Sequence, residues 1–162
     1  MNRKMNHLVS AALIAALYTA VTLLLAPISY GLFQIRVSEG LLALAFYTPA
    51  AIPGITLGCF ISGLLGPNGP LDALFGCIAS FIGVYMAYKL RGRESRFTAL
   101  LPNVFANGII IGLMLHYIFG VPVHPLLCVL YVGAGEFVSC MFVGIPLSKL
   151  LDKHQKDMEW FL

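Results

Sequence analysis

Apolar residues occur in six blocks along the chain, separated by short polar or turn-forming stretches. Several blocks approach twenty residues, the length of an α-helix that crosses a hydrocarbon core of roughly 30 Å. Apolar and polar positions do not alternate within the blocks, which disfavours transmembrane β-strands. The pattern predicts an all-α membrane protein with a single transmembrane domain over residues 1–162 and helices at about 7–26, 34–48, 50–65, 71–88, 97–119 and 125–151.

The basic residues distinguish six membrane crossings from five. Lysine and arginine collect on the cytoplasmic side of membrane proteins. With six crossings, both termini and the 89–96 loop face the cytoplasm, and Arg36 alone of the ten basic residues lies outside. With five crossings, this loop and the C-terminal tail cannot both lie on the side of the N-terminus. The charge pattern therefore predicts a six-helix bundle with both termini in the cytoplasm.

The second and third blocks are short for two crossings. Residues 34–65 provide thirty-two positions. As α-helix these extend about 48 Å, whereas two full crossings need roughly 60 Å. The second helix is therefore predicted to begin below the outer surface, near residues 34–39. Irregular backbone at that depth is tolerated where it lines a cavity, so we expect a hollow that opens to the outside.

Composition excludes several other classes of protein. Hydrophobic residues make up 59% of the chain and charged residues 10%, against roughly 25% charged in a soluble domain. The net charge of +3 is too small to indicate nucleic-acid binding. The four cysteines lie in apolar blocks without C-x-x-C spacing, and we expect small buried residues and no metal site. The first block imitates a signal peptide but lacks a cleavage motif, so a retained helix is expected.

Four charged residues fall in or beside the apolar blocks: Arg36, Glu39, Asp72 and Glu136. Each would cost roughly 2.5–3.5 kcal/mol at the centre of a helix in lipid, so they must face the bundle interior, a cavity or the interface. On the six-helix map all four lie in the outer half, which predicts a pocket open to the outside. Arg36 and Glu39 are also spaced to pair with each other, and Asp72 is placed to cap the fourth helix. Glu136 has only apolar neighbours and is favoured as a ligand contact.

Polar and aromatic residues extend this candidate site. Asn103 and Asn107 lie four positions apart on one face of the fifth helix, either as links between helices or as ligand contacts. Phe33 and Tyr131 are candidates for stacking on a flat ligand, although aromatic residues are also common at membrane interfaces. Gln34 and Asn68, beside the predicted outer turns, complete the set of candidate substrate-binding residues.

Small residues follow one another along the first helix. Alanines recur at four-residue spacing, a pattern that lets another helix approach closely. The partner is either within the bundle or in another membrane protein, and the candidate docking residues are Ala12, Ala16 and Ala20, with Ala11 and Ala15 beside them. The chain lacks a phosphate-binding loop, a zinc-binding helix motif and a serine nucleophile motif. An enzyme is therefore disfavoured.

Several stretches carry a family resemblance: ALIAALYTAVTLLLAPISYG, QIRVSEGL, PAAIPGITLGCFISGLLGPNGPLDALFGCIAS, LYVGAGEFVSC and GIPL. With them the chain resembles the QueT family of substrate-binding (S) components of energy-coupling factor (ECF) transporters. The resemblance implies a six-helix protein of the bacterial cytoplasmic membrane that binds its substrate toward the outside. It implies as partners a transmembrane coupling subunit, contacted by the alanines of the first helix, and two ATPase subunits. The implied mechanism is toppling of the loaded S component in the membrane, with ATP used by the partners and no cofactor expected on this chain.

The implied substrate is a queuosine precursor, either a 7-deazaguanine such as pre-queuosine or the free base queuine. Glu136 or Glu39 is expected to accept hydrogen bonds from the guanine-like edge, since a carboxylate matches two parallel N–H donors. Asp72 is expected to face an aminomethyl cation, and Asn103 or Asn107 the ring carbonyl. An S component for another flat heterocycle and a stand-alone transporter remain alternatives, although no inverted repeat supports the second.

Overall fold

The computed structural model describes residues 3–154, and the regular elements within that range are all helical. The α-helices are α1 (Arg3–Leu24), α2 (Ala26–Ser29), α3 (Ala51–Leu65), α4 (Gly69–Leu90), α5 (Arg96–Tyr117), α6 (Pro125–Val138) and α7 (Ile145–Lys153). A 3-10 helix covers Val37–Phe46, and a π-helical turn, Ser139–Gly144, joins α6 to α7. The predicted all-α class is thus confirmed for the described residues.

Four helical segments of the described chain are long and apolar enough to cross a membrane: Lys4–Leu24, Gly69–Leu90, Arg96–Tyr117 and Pro125–Lys153. The 3-10 helix and α3 are apolar but shorter. They occupy the region in which the sequence provides too little length for two full helices. The six-crossing count and the cytoplasmic position of both termini stay predictions.

The largest departure from the predicted elements lies in the second block. Residues 34–36 are not helical, and the following ten residues form a 3-10 helix, a conformation that rarely exceeds three or four residues. At a rise of about 2.0 Å per residue, this helix extends about 20 Å, more than an α-helix of ten residues would reach. The first block also differs, because α1 ends at Leu24 and the short α2 follows.

The 3-10 helix lies in the middle of the bundle, in contact with α1, α3, α4, α7 and the π-helical turn. Most of its side chains are buried, including Glu39, Leu42 and Leu44. Gly40 lies against the π-helical turn, since a Cβ atom there would be 2.5 Å from Cγ1 of Val143. A polar residue in this segment is therefore surrounded by other helices.

Helices α1 and α3 pack through small residues. A Cβ atom on Gly54 would lie 2.8 Å from the Ala11 carbonyl oxygen, and one on Gly58 would lie 2.9 Å from the Ala15 carbonyl oxygen. Ala11 and Ala15 are buried in this contact. The other candidate docking alanines, Ala12, Ala16 and Ala20, are exposed on the outside of the bundle. The structure thus distinguishes buried from exposed alanines of α1, a difference that their spacing in the sequence did not show.

The α1–α3 contact predicts that replacing Gly58 with alanine destabilises the protein, although alanine normally favours a helix. Helix propensity favours Gly58→Ala by about 1 kcal/mol, but the new methyl group would meet backbone atoms of Ala15. We expect a net loss of about 1–3 kcal/mol in the free energy of unfolding, measured by denaturant titration in detergent.

The matched control is Gly133→Ala in α6, where the nearest atom to the new Cβ is 4.0 Å away. This variant should be neutral or slightly stabilising. Equal stabilisation by both substitutions would contradict the close approach of α1 and α3.

Candidate binding site

Arg36 and Asp72 form a buried ion pair at one end of a cluster of polar side chains. Arg36 Nη2 donates to both carboxylate oxygens of Asp72, at 3.1 and 2.9 Å, and the side chains are 2% and 1% exposed. Gly76 leaves room for the guanidinium, because a Cβ atom there would lie 3.3 Å from Nη1. The Arg36 side chain therefore crosses from the irregular segment before the 3-10 helix to α4.

This pair corrects two expectations from the sequence. The alternative in which Arg36 pairs with Glu39 is wrong, because the guanidinium contacts Asp72. Capping of α4 by Asp72 is also wrong, because the N-cap residue is Asn68 and no side chain caps the helix. The interacting charges come from segments thirty-six residues apart, a separation at which spacing carries no information.

Glu39, in the first turn of the 3-10 helix, is completely buried and receives hydrogen bonds from three helices. Its Oε1 accepts from the Tyr18 hydroxyl of α1 and from the Ser80 hydroxyl of α4, the latter at 2.7 Å. Its Oε2 accepts from Asn103 Nδ2 of α5 at 3.2 Å. The three donors are neutral, and no cation of residues 3–154 forms an ion pair with this carboxylate.

Asn103 links this carboxylate to Glu136 of α6. Its Nδ2 lies 3.2 Å from Glu39 Oε2 and 3.2 Å from Glu136 Oε2. Its Oδ1 accepts from Asn107 Nδ2 at 3.0 Å. Gly83 permits this arrangement, since a Cβ atom there would overlap the Asn103 side chain. The amide therefore directs its N–H groups toward two carboxylates and its oxygen toward a second amide.

Several atoms of the cluster have no hydrogen-bond partner among the described protein residues. They are both side-chain polar atoms of Gln34, Oδ1 of Asn107 and Oε1 of Glu136. All three residues are fully buried. Since an unpaired buried polar atom costs about 1–3 kcal/mol, such atoms are rare in folded proteins. Asn107 and Glu136 are linked through Asn103, so the unpaired atoms make these residues and Gln34 candidates for contacts with a polar ligand.

The backbone at Gln34 is strained and lies directly on α6. Its φ of 42° makes it the non-glycine residue with positive φ among the described residues. Such a conformation costs of order 1–3 kcal/mol and is often found at functional sites. The Phe33 carbonyl packs against Gly135, where a side chain would overlap it. Residues 33 and 34 are thereby held beside Glu136.

The remaining candidate residues lie at the edge of this cluster. The rings of Phe33 and Tyr131 contact each other with centroids 4.9 Å apart and planes inclined by 46°. Phe33 is 52% exposed, so this aromatic pair lies on the accessible side of residues 33 and 34. Asn68 is half-buried, and no described contact joins it to the other candidates.

Tyr18 and Ser80 are site residues that the sequence analysis did not find. Both lie in long apolar helices and carry no charge, so neither stands out from ordinary packing residues. The available signal is indirect, because a buried carboxylate needs hydrogen-bond donors from somewhere. Only the fold shows that the hydroxyl groups come from α1 and α4.

A second polar cluster lies where α5 begins and α7 ends. Arg96 donates to Asp152 at 2.8 Å, and the Tyr47 hydroxyl donates to the same carboxylate at 2.6 Å. Partial burial, followed by the hydrogen bond to Asp152, raises the pKa of Tyr47 to about 12. The protonated hydroxyl remains a hydrogen-bond donor to Asp152. Through this contact and the Arg96–Asp152 pair, the cluster connects the end of the 3-10 helix to α5 and α7.

The family resemblance inferred from sequence motifs is supported by direct comparison. The model of the QueT transporter family matches residues 8–153, a range that contains the whole polar cluster. The chain belongs to the QueT transporter family. A curated relative, the queuosine precursor transporter QueT of Lactococcus lactis subsp. cremoris (strain MG1363), is 44% identical over 92 residues.

That alignment covers 56% of this QueT family member and 54% of the relative, so it spans about half the length of both proteins. No solved structure matches the chain. The family is one of transporters, in agreement with the apolar helices and with the expectation that the chain is not an enzyme.

The buried ion pair in this QueT family member predicts strong coupling between Arg36 and Asp72. Arg36→Met should lower the free energy of unfolding by about 3–5 kcal/mol, because it leaves a buried carboxylate without its cation. The double variant with Asp72→Leu should recover much of this loss, as a denaturant titration in detergent would show.

Arg96→Met serves as the control, because the Arg96–Asp152 pair is 36% and 44% exposed. Its loss should cost about 0–1 kcal/mol. An Arg36→Met variant as stable as Arg96→Met would show that the pair is not buried in the folded protein.

Proposed function

We propose that this chain is the substrate-binding S component of an ECF-type importer and that it binds a queuosine precursor. The ligand is a 7-deazaguanine such as pre-queuosine, or the free base queuine. The observation that carries the proposal is the buried cluster in which Gln34, Asn107 and Glu136 present unpaired polar atoms. Membership of the QueT family and the printed name of the Lactococcus relative support the choice of ligand.

The hydrogen-bonding groups in the cluster suit a guanine-like heterocycle. The Gln34 amide provides both a donor and an acceptor, whereas Asn107 Oδ1 and Glu136 Oε1 accept. A 7-deazaguanine has several N–H donors along one edge and a ring carbonyl that accepts. The Gln34 amide and Asn107 Oδ1 can pair with the ring, which leaves Glu136 Oε1 to accept from a further donor of the ligand. Phe33 and Tyr131 supply an aromatic surface beside the same segment.

The transport cycle in this proposal uses partner subunits. A coupling subunit and two ATPases drive toppling of the loaded S component in the bacterial cytoplasmic membrane. One exposed face of α1 carries the small side chains of Ala12, Ala16 and Ala20, so a helix of the coupling subunit can approach it closely. Ala11 and Ala15 are occupied by α3 and are not part of this face. Six crossings with both termini in the cytoplasm place the basic 89–96 loop on the side of the ATPases.

Gln34 gives a direct test of the binding site, because its side chain makes no hydrogen bond within the described protein. Gln34→Met should lower the affinity for 7-deazaguanines by about tenfold or more without lowering stability, since only ligand contacts are lost. Isothermal calorimetry and thermal unfolding of the purified protein measure the two quantities.

Asn6→Leu is the control, because it likewise replaces an amide that has an unpaired atom, here at a partly exposed position of α1. Asn6 precedes the site residue Tyr18 by three turns of α1, about 18 Å, and the affinity should not change. If neither 7-deazaguanines nor other flat heterocycles bind, the S-component proposal is wrong. Binding of another heterocycle alone would point to an S component with a different substrate.

The docking face predicts that a bulky residue on α1 blocks complex formation. Ala16→Trp should abolish co-purification with the co-expressed coupling subunit and ATPases while leaving ligand affinity unchanged. Leu126→Trp is the control, because Leu126 is 60% exposed on another helix. Transport by the chain reconstituted alone would instead support a stand-alone transporter.

A further inference from the structure

The buried cluster contains three carboxyl side chains and one guanidinium. Its one described cation, Arg36, donates to both carboxylate oxygens of Asp72 through Nη2, while Nη1 and Nε donate to Cys59 Sγ and the Ser29 carbonyl oxygen. Glu39 and Glu136 are then left as two carboxylates that no described cation contacts. Both are completely buried, so solvent does not screen them.

The two carboxylates are also close together. Each places its Oε2 3.2 Å from the same nitrogen, Asn103 Nδ2. Two like charges that share a buried site repel each other strongly, and neutral hydrogen-bond donors offset only part of that repulsion. A positive charge brought into the cluster would relieve it. Glu136 Oε1, which has no protein partner, is the atom best placed to contact such a charge.

We infer that the site selects a positively charged ligand and that Glu136, supported by Glu39, determines this selectivity. The inference rests on the proposed function and narrows its substrate class to 7-deazaguanines whose side group carries an ammonium. It also changes the expected roles of the carboxylates, because Asp72, first expected to face the cation, is already neutralised by Arg36. A neutral ligand of the same shape makes the same ring contacts but leaves the two carboxylates without a counter-charge.

The experiment compares two ligands that share the ring system and differ in the charge of the group at position 7. These are 7-aminomethyl-7-deazaguanine, a cation at neutral pH, and 7-cyano-7-deazaguanine, which is neutral. Calorimetric titration of the unmodified protein at neutral pH should give at least about tenfold tighter binding of the cation. Because this comparison needs no substitution, it does not depend on whether a variant folds.

The isosteric variant Glu136→Gln tests whether Glu136 causes the preference for the cationic ligand. It should lower the affinity for the aminomethyl ligand by about tenfold or more and change that for the cyano ligand by less than about threefold. Glu94→Gln, which makes the same change at an exposed carboxylate of the 91–95 loop, should alter neither affinity.

The outcomes separate the inference from the proposed function. If both ligands bind equally tightly, or if Glu136→Gln weakens both by the same factor, charge selectivity is wrong while the binding function stands. Equal binding would mean that one carboxylate carries a proton in place of the ligand's charge. If neither ligand binds, the proposed function itself fails.

Discussion

The structure depends on the burial of a carboxylate, Glu39, in the middle of an apolar bundle. Such a group is tolerated only when donors from the protein replace water. Here α1, α4 and α5 supply those donors through Tyr18, Ser80 and Asn103. The requirement fixes how these three helices face one another, and it places the start of the 3-10 helix at their centre. The same donors leave Glu136 partly unsatisfied, so the structural core and the binding site share one hydrogen-bond network.

Small residues make this network possible. Short polar side chains such as those of Ser80 and Asn103 reach a partner on another helix only where the backbones approach closely. Gly83 admits the side chain of Asn103, and Gly135 admits the Phe33 carbonyl. At both positions a methyl group would overlap its neighbour. Gly83 and Gly135 are therefore as necessary to the cluster as its charged residues.

Charge burial also connects the structure to transport. A transporter must hold its ligand tightly enough to select it and must then release it. Unpaired polar atoms such as those of Gln34 and Glu136 would gain partners from a polar ligand, and such a ligand would then stabilise the folded protein as well. The strained backbone at Gln34 belongs to the same region. The backbone of residues 33 and 34 packs against α6 at Gly135.

The sequence by itself determined the helical class, the family and the residues that had to lie inside. Charges such as Asp72 and Glu136 are costly in lipid wherever their helices sit, so residue type and block position were sufficient. The tertiary structure alone decided that Arg36 pairs with Asp72, that Tyr18 and Ser80 serve Glu39, and that Ala11 faces inward while Ala12 faces outward. The reason is that pairing depends on distances between helices, and those distances are set by packing contacts far apart in the chain.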